Sequence, residues 1–345
     1  MSIVGGLDIH RRQLTFDYLD TVTGQVARGQ VAPADREHLR AWLARFTGRD
    51  GVAFAIEGCT GWRYVAAELA AAGAGVHLAE PAGTALARGR KRHAKTDKTD
   101  SRHLRGLLAE GRLPECWIPP EQVLEARALL ESCHDLRREH TAWLQRIHSV
   151  FFHHGAPAMG EGILSSIGGP AAARTTAAAH LSPAGQQQVT IALAMMTCLE
   201  DQMHGLRHQL LDTARHLKGP RVLAAQIYGV GPLTALALTC WLGGAGRFSS
   251  ARKAVRFAGL DITVSSSDRK GPPGRLSRQG PPVLRWALYE AGKAHARASA
   301  PDHACYAQVK DRKTGKRAAL SEARKIIRRA CHILNDLGDD AFAAV

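Results

Sequence analysis

The sequence predicts a mixed α/β domain followed by mainly helical regions, and three observations carry that prediction. Short apolar runs, several ending in an acid, alternate with helical patterns near the N-terminus; long runs with apolar residues at three- and four-residue steps fill the middle; short helical patterns broken by Gly, Ser and Pro turns make up the rest. The expected domains are 1–120, a helical stalk at 121–220, and a C-terminal domain at 221–345.

Residues 3–10 form a short apolar run that ends in charge, and 13–20 and 24–31 follow across a Thr-Gly turn, so the three read as a meander of strands. Leu39, Trp42, Leu43 and Phe46 mark an amphipathic helix over 36–46. A buried strand at 51–56 ends at Glu57, an Ala-rich helix at 62–72 is closed by Gly73, and another strand at 75–79 precedes Pro81. After a basic loop at 88–95, a helix opens at Asp97 and runs through Leu104, Leu107 and Leu108 to a Gly111 stop. Strands first, then strands alternating with helices, give a mixed sheet flanked by helices.

Four acids in this domain draw attention together. Asp97 and Asp100 are three residues apart, which puts both on one helix face, amid Lys95 and Lys98. Asp8 and Glu57 sit just past apolar β runs, where open α/β sheets place their sites. Singly, each reads as a surface acid. Jointly, carboxylates from two strands and a helix are what a two-cation phosphoryl-transfer site needs, with cations roughly 3.5–4 Å apart. Lys95 and Lys98 then read as contacts to a nucleic acid.

Pro119-Pro120 closes the domain, and 121–152 and 184–217 read as long, partly basic helices around a Gly/Ala/Ser/Pro-rich stretch of loop or short helices. This stalk either packs within the chain, forms half of a coiled coil, lies against RNA, or simply connects with its charges solvated. Farther on, Ile227 to Thr234 resembles the hairpin of a helix-hairpin-helix element, in which Gly229 and Gly231 let backbone N–H groups approach a phosphate. The Ser265-Ser266-Ser267-Asp268 cluster runs into a basic Gly/Pro loop with Arg269, Lys270 and Arg275. Its bland reading is a linker; its functional reading is a serine nucleophile toward phosphorus, with cations favouring the alkoxide. A basic run from Lys310 to Arg317, and Arg324, Lys325, Arg328 and Arg329 at helical spacing, report a polyanion without specifying chemistry.

Composition agrees with a nucleic-acid partner: 46 Lys and Arg against 31 Asp and Glu give a formal charge of +15. Seven cysteines, scattered with no Cys-x-x-Cys pair, read as reduced thiols and not as disulfides or zinc ligands. No apolar run is long enough to span a bilayer and no secretory leader is evident, so a soluble cytoplasmic protein, nucleoid-associated when acting, is expected.

Taken in order, these motifs resemble a DEDD transposase of the insertion-sequence one-hundred-and-ten family, related to the Piv-type DNA invertases. Gly6-Leu7-Asp8, Ile56-Glu57-Gly58 and 95–100 match its acidic tetrad; residues 229–235, Phe257-Ala258-Gly259-Leu260, Leu276-Ser277-Arg278-Gln279-Gly280 and Leu284-Arg285 match its C-terminal domain. The resemblance implies an RNase H/RuvC-like domain that holds Mg²⁺ through Asp8, Glu57, Asp97 and Asp100. It also implies a serine nucleophile in the loop after Ala-Gly-Leu. Many members show Ser followed by Gly there, whereas this chain has Ser265-Ser266-Ser267-Asp268, so the register lies among these serines, with Ser267 preferred and Ser266 second. It further implies a structured bridge RNA that pairs with donor and target DNA; because several strands must be cut in concert, a dimer or tetramer is expected. Two rival readings are a RuvC-like junction nuclease using water alone, and a non-catalytic nucleic-acid-binding derivative of a transposase.

Overall fold

Alternation along the N-terminal strands decides which face of the sheet is bulky and which is thin. The computed structural model describes residues 1–88, 97–160, 162, 164, 166–243, 246–262 and 274–345. It divides into two compact units, Met1–Ile118 and Pro119–Val345.

In the first unit, β1 (Ile3–Ile9), β2 (Leu14–Asp20), β3 (Val26–Val31), β4 (Val52–Glu57) and β5 (Gly75–Ala79) form one sheet in the order β3-β2-β1-β4-β5. The first three pair antiparallel as a meander, while β4 runs parallel to both β1 and β5. This mixed sheet with flanking helices, followed by a helical second unit, is compatible with a RuvC-like α/β domain joined to a helical C-terminal region. Side chains alternate across each strand. Ile3, Leu7 and Ile9, with Val52, Phe54 and Ile56 of β4, fill one face and meet α1 (Arg36–Leu43) and α2 (Trp62–Ala71) in a core that includes Phe16, Trp42 and Phe46.

The opposite face carries Val4, Ala53 and Ala55, against Leu104 and Leu108 of α4 (Asp97–Ala109). Gly6 lies on this face as well. A Cβ at Gly6 would stand 2.1 Å from the Ser101 carbonyl oxygen and 2.7 Å from the Arg105 backbone nitrogen, so only a missing side chain admits the helix at this depth. A second device fixes the helix from its side. Asp17 of β2, 1% exposed, receives Arg28 of β3 at 2.8 Å and Arg105 of α4 at 2.7 Å, with Arg102 at 3.8 Å. A buried carboxylate so surrounded is costly to leave alone, which ties α4 to β2 beside β1. Between β5 and α4 lies α3 (Pro81–Ala87), for which the apolar periodicity gives no sign; Pro81 starts it, where its missing N–H costs nothing.

The second unit begins with α5 (Glu121–His153), α6 (Gly169–His180) and α7 (Pro183–His216). His140 meets Glu200 and His154 meets Ser182, so α5 and α7 run antiparallel, and α6 closes their far end over Ile147, Phe151, Val189 and Leu193. The Ser182 hydroxyl caps α7 by accepting from Gly185 N. Beyond them come α8 (Lys218–Gln226), α9 (Pro232–Leu242), α10 (Ala251–Phe257), α11 (Pro282–Lys293), α12 (His303–Arg312) and α13 (Gly315–Leu337). The α9 helix is buried throughout. Arg127 of α5 donates to the Cys240 carbonyl at 2.9 and 2.7 Å, filling one of the acceptors that the end of α9 leaves open. No described helix is long and apolar enough to cross a membrane.

If α4 depends on the absence of a side chain at position 6, then Gly6→Val should lower unfolding stability by roughly 1–3 kcal/mol or more, the usual cost of overpacking. Urea denaturation followed by circular dichroism measures it, and Gly106→Ala, a helix-interior position where a Cβ meets nothing within 4 Å, is the control that should not destabilise.

Candidate active site

Two strand ends and one helix start supply the acids. Asp8 and Glu57 follow Leu7 and Ile56, the last paired residues of the parallel β1–β4 ladder. Asp8 is two positions beyond Gly6 and so shares the α4 face of the sheet. The helix that Gly6 admits begins with Asp97 and carries Asp100 in the same first turn, where acids also complement the helix dipole. Docking of α4 on β1 therefore delivers Asp97 and Asp100 to the end of the strand that bears Asp8.

Ligand atoms of Asp8, His10 and Asp97 all lie within 4.8 Å of one another. His10 Nε2 is 3.1 Å from Asp8 Oδ2 and 3.3 Å from Asp97 Oδ1, so one imidazole nitrogen stands between two carboxylates. Gln13 Nε2 donates to Asp97 Oδ2 at 3.4 Å. Asp100 and Glu57 stand outside this closest trio. Arg88 Nη1 is 2.8 Å from Asp100 Oδ1, yet that buried oxygen lacks an aligned hydrogen bond. Glu57 Oε1 accepts from the Thr84 hydroxyl at 2.5 Å, and the Thr84 carbonyl is 3.1 Å from His103 Nε2 of α4. The α3 helix thus orients Glu57 and touches the helix bearing the other acids. Burial pushes the Cys59 thiol up, and the charges of Glu57 and then Asp8 add to this, which puts both carboxylates within electrostatic reach of one side chain.

The electrostatics leave room for a cation. Burial raises the Asp8 carboxyl above its ordinary range; His10 opposes the rise, while Asp100 and Asp97 add to it. The buried Asp8 carboxyl, with the Asp100 and Asp97 charges beside it, gives a cluster of carboxylate oxygens of the kind that holds a hard divalent cation. His10, Gln13, Thr84 and Arg88 are the participants that sequence reasoning missed. His10 follows Asp8 at strand spacing, the one local signal that could have flagged it. Lys98 is exposed on α4, and Lys95 lies outside the described residues.

In the second unit, α8 and α9 flank the hairpin at 227–231. A Cβ on Gly229, at φ 80°, would meet the Ala291 carbonyl oxygen at 2.7 Å, so Gly229 is small in order to pack on α11, whereas Gly231 faces open space at the start of α9. Ser265, Ser266, Ser267, Asp268, Arg269 and Lys270 lie outside the described residues; Arg275 is described and exposed. The chain on either side of 263–273 is pinned together. Ile262 pairs with Leu276, Ser277 N donates to Asp261 O at 3.0 Å, and Arg278 N donates to Gly259 O at 3.2 Å. Gly259 and Gly280 press so closely on 278–279 and 257–258 that neither could carry a Cβ without moving backbone. The two short motifs around this loop are therefore the two sides of one neck.

Two family models match the chain. A transposase model of the DEDD IS110 type matches residues 5–153, which hold all four acids, and the model described as Transposase IS116/IS110/IS902 family matches residues 222–308, which hold the hairpin and the neck. No curated protein matches it.

The raised Asp8 carboxyl has a stability consequence. An acid whose pKa is higher folded than unfolded favours the fold less as it ionises, so its unfavourable contribution sets in as pH rises from the ordinary carboxylate range through the raised value. In chelator, Asp8→Asn should raise Tm by a few degrees near pH 7 and leave it unchanged near pH 3, where the carboxyl is protonated in both states. Added Mg²⁺ should raise the Tm of the wild type and not of the variant, read by differential scanning calorimetry.

Proposed function

The chain carries IS110-family transposase domains, which support an insertion-sequence transposase acting on DNA, and from that premise we propose that it cuts and rejoins DNA through a transient phosphoserine link. The observation that carries this reading is the gathering of Asp8, Asp97 and Asp100 at the end of β1, with Glu57 at the end of the neighbouring strand. Mg²⁺ held by Asp8, Glu57, Asp97 and Asp100 would polarise the scissile phosphate and offset charge developing on it.

The protein's own groups divide the remaining work. Thr84 and Arg88 orient Glu57 and Asp100 from outside the site, and Gln13 steadies Asp97. Lys95 and Lys98 contact the DNA backbone, as do Arg269, Lys270 and Arg275 near the serines and the Gly229–Gly231 hairpin at the start of α9. Ser267, or Ser266 in the alternative register, attacks phosphorus as the bond to one sugar oxygen breaks. The phosphodiester energy is kept in the serine ester, and a sugar hydroxyl from the exchanged strand later displaces the serine, so no ATP is consumed. A structured bridge RNA that pairs with donor and target DNA would choose the sequence, leaving the basic protein to read backbone and shape. Cutting several strands in concert calls for a dimer or tetramer.

Capture of a covalent protein–DNA adduct in Mg²⁺ tests the chemistry. Ser267→Ala is expected to abolish the adduct, and Asp97→Ala to slow its formation on the order of 10³-fold or more. Adduct loss in Ser266→Ala alone would move the register by one residue. Strand cutting that survives loss of every serine in 265–267 would replace this reading with a water-using junction nuclease.

A further inference from the structure

Most arginines of the first unit find acids: Arg28 and Arg105 meet Asp17, and Arg36 and Arg40 meet Glu68. On α13 of the second unit, Lys325 and Arg329 likewise meet Glu322 and Asp302. The adjacent positions, Arg324 and Arg328, do not. They face Arg252, Lys253 and Arg256 of α10 across an open cavity of about 570 Å³, and among the described residues none of these five cations makes a salt bridge. Among the described residues the one acid on the wall is Asp261, which already accepts a hydrogen bond from the Ser277 hydroxyl. Burial lowers the Arg324 pKa and the neighbouring Arg328 charge lowers it further, so the arrangement opposes its own charge. Arg324 Nε also donates to the Leu260 carbonyl at 2.8 Å, which fixes the basin to the neck from which segment 263–273 departs.

We propose that this basin between α10 and α13 seats consecutive phosphodiester groups of a DNA strand, held by its backbone alone. One phosphate is satisfied by two arginines, whereas five cations spread over two helices, with one acid beside them among the described residues, suit a chain of phosphates. No aromatic side chain lines the wall among the described residues, which argues against base stacking. The inference rests on the reading of the chain as a DNA-cutting transposase and adds to it a place where the strand is anchored beside the described neck. Arg252, Lys253, Arg256 and Arg328 are positioning residues here, with Arg324 serving both the strand and the neck.

The test uses the full chain, a mixed-sequence DNA duplex and fluorescence anisotropy over a salt series. The variants are Arg252→Gln/Arg256→Gln/Arg328→Gln and the charge-keeping Arg252→Lys/Arg256→Lys/Arg328→Lys, with Arg324 left to hold Leu260. Each lost phosphate contact should reduce the slope of log K against log salt by about 0.9, so the glutamine variant should lose between two and three in slope, and on the order of 10²-fold in affinity near 0.15 M salt. Unrelated sequences should lose equally, and the lysine variant should keep most of both. Should the triple variant fail to fold, Arg328→Gln alone, at an exposed position, should still lose about one in slope. An unchanged slope overturns the proposal, as does a loss seen with RNA and not DNA, or wild-type DNA binding displaced by millimolar inorganic phosphate. If the wild type cuts DNA while the variant slopes stay level, the basin proposal alone fails; if the wild type neither binds nor cuts DNA, the transposase reading fails with it.

Discussion

The close seating of α4 on β1 is the contact on which the acidic site depends. Gly6 lets the backbone of Ser101 and Arg105 approach the strand, and the Asp17 carboxylate holds Arg105 from the neighbouring strand. Two residues farther along the same face comes Asp8, and one turn back along the helix come Asp100 and Asp97. Strand alternation and helical periodicity thus meet at one corner of the sheet, and the carboxylates are crowded as a consequence of packing. Burial at that corner is what raises Asp8, the Asp100 and Asp97 charges add to the rise, and a divalent cation there would offset them.

The second unit solves a different problem, which is to hold a loop by its ends. Gly259 and Gly280 allow two chain segments to touch backbone to backbone, and the Ile262–Leu276 bridge and the Asp261–Ser277 contacts close them. Arg324 reaches from α13 to the same neck. A segment that carries a proposed nucleophile is therefore tethered to helices at its root, and five cations that make no salt bridge among the described residues collect beside that root. Positive charge elsewhere is used differently: Arg105 docks a helix and Arg127 caps one.

Much of the first unit was legible because its strands are short, apolar and separated by turn residues, and because its acids fall at strand ends or at helical spacing. Asp8, Glu57, Asp97 and Asp100 could be picked out one by one for those reasons. Their supporting residues could not. Thr84 sits on α3, a short helix of Pro, Ala, Gly, Thr and Leu with no amphipathic rhythm, and its meeting with Glu57 joins positions far apart in sequence. The alternation of Val4, Gly6, Ala53 and Ala55 against Ile3, Leu7, Phe54 and Ile56 did carry a readable sign that one face admits a close helix. Arg127 reads from sequence as a stalk charge, and its partner Cys240 belongs to another helix altogether. Gly229 reads as a phosphate-facing glycine, and the structure gives it a packing reason through Ala291. Such long-range pairings follow from the fold and leave no local pattern.

The claim at the centre of this account is that α4 and the ends of β1 and β4 together make one cation site. Titrating Mn²⁺ into the full chain and counting bound ion by electron paramagnetic resonance tests it directly. Saturable binding is expected, lost in Asp8→Asn and weakened in Asp100→Asn. Weakening is also expected in Gly6→Val, which leaves every carboxylate in place and disturbs only the seating of the helix. Binding that is unchanged in all three variants, or absent from the wild type, would contradict the claim.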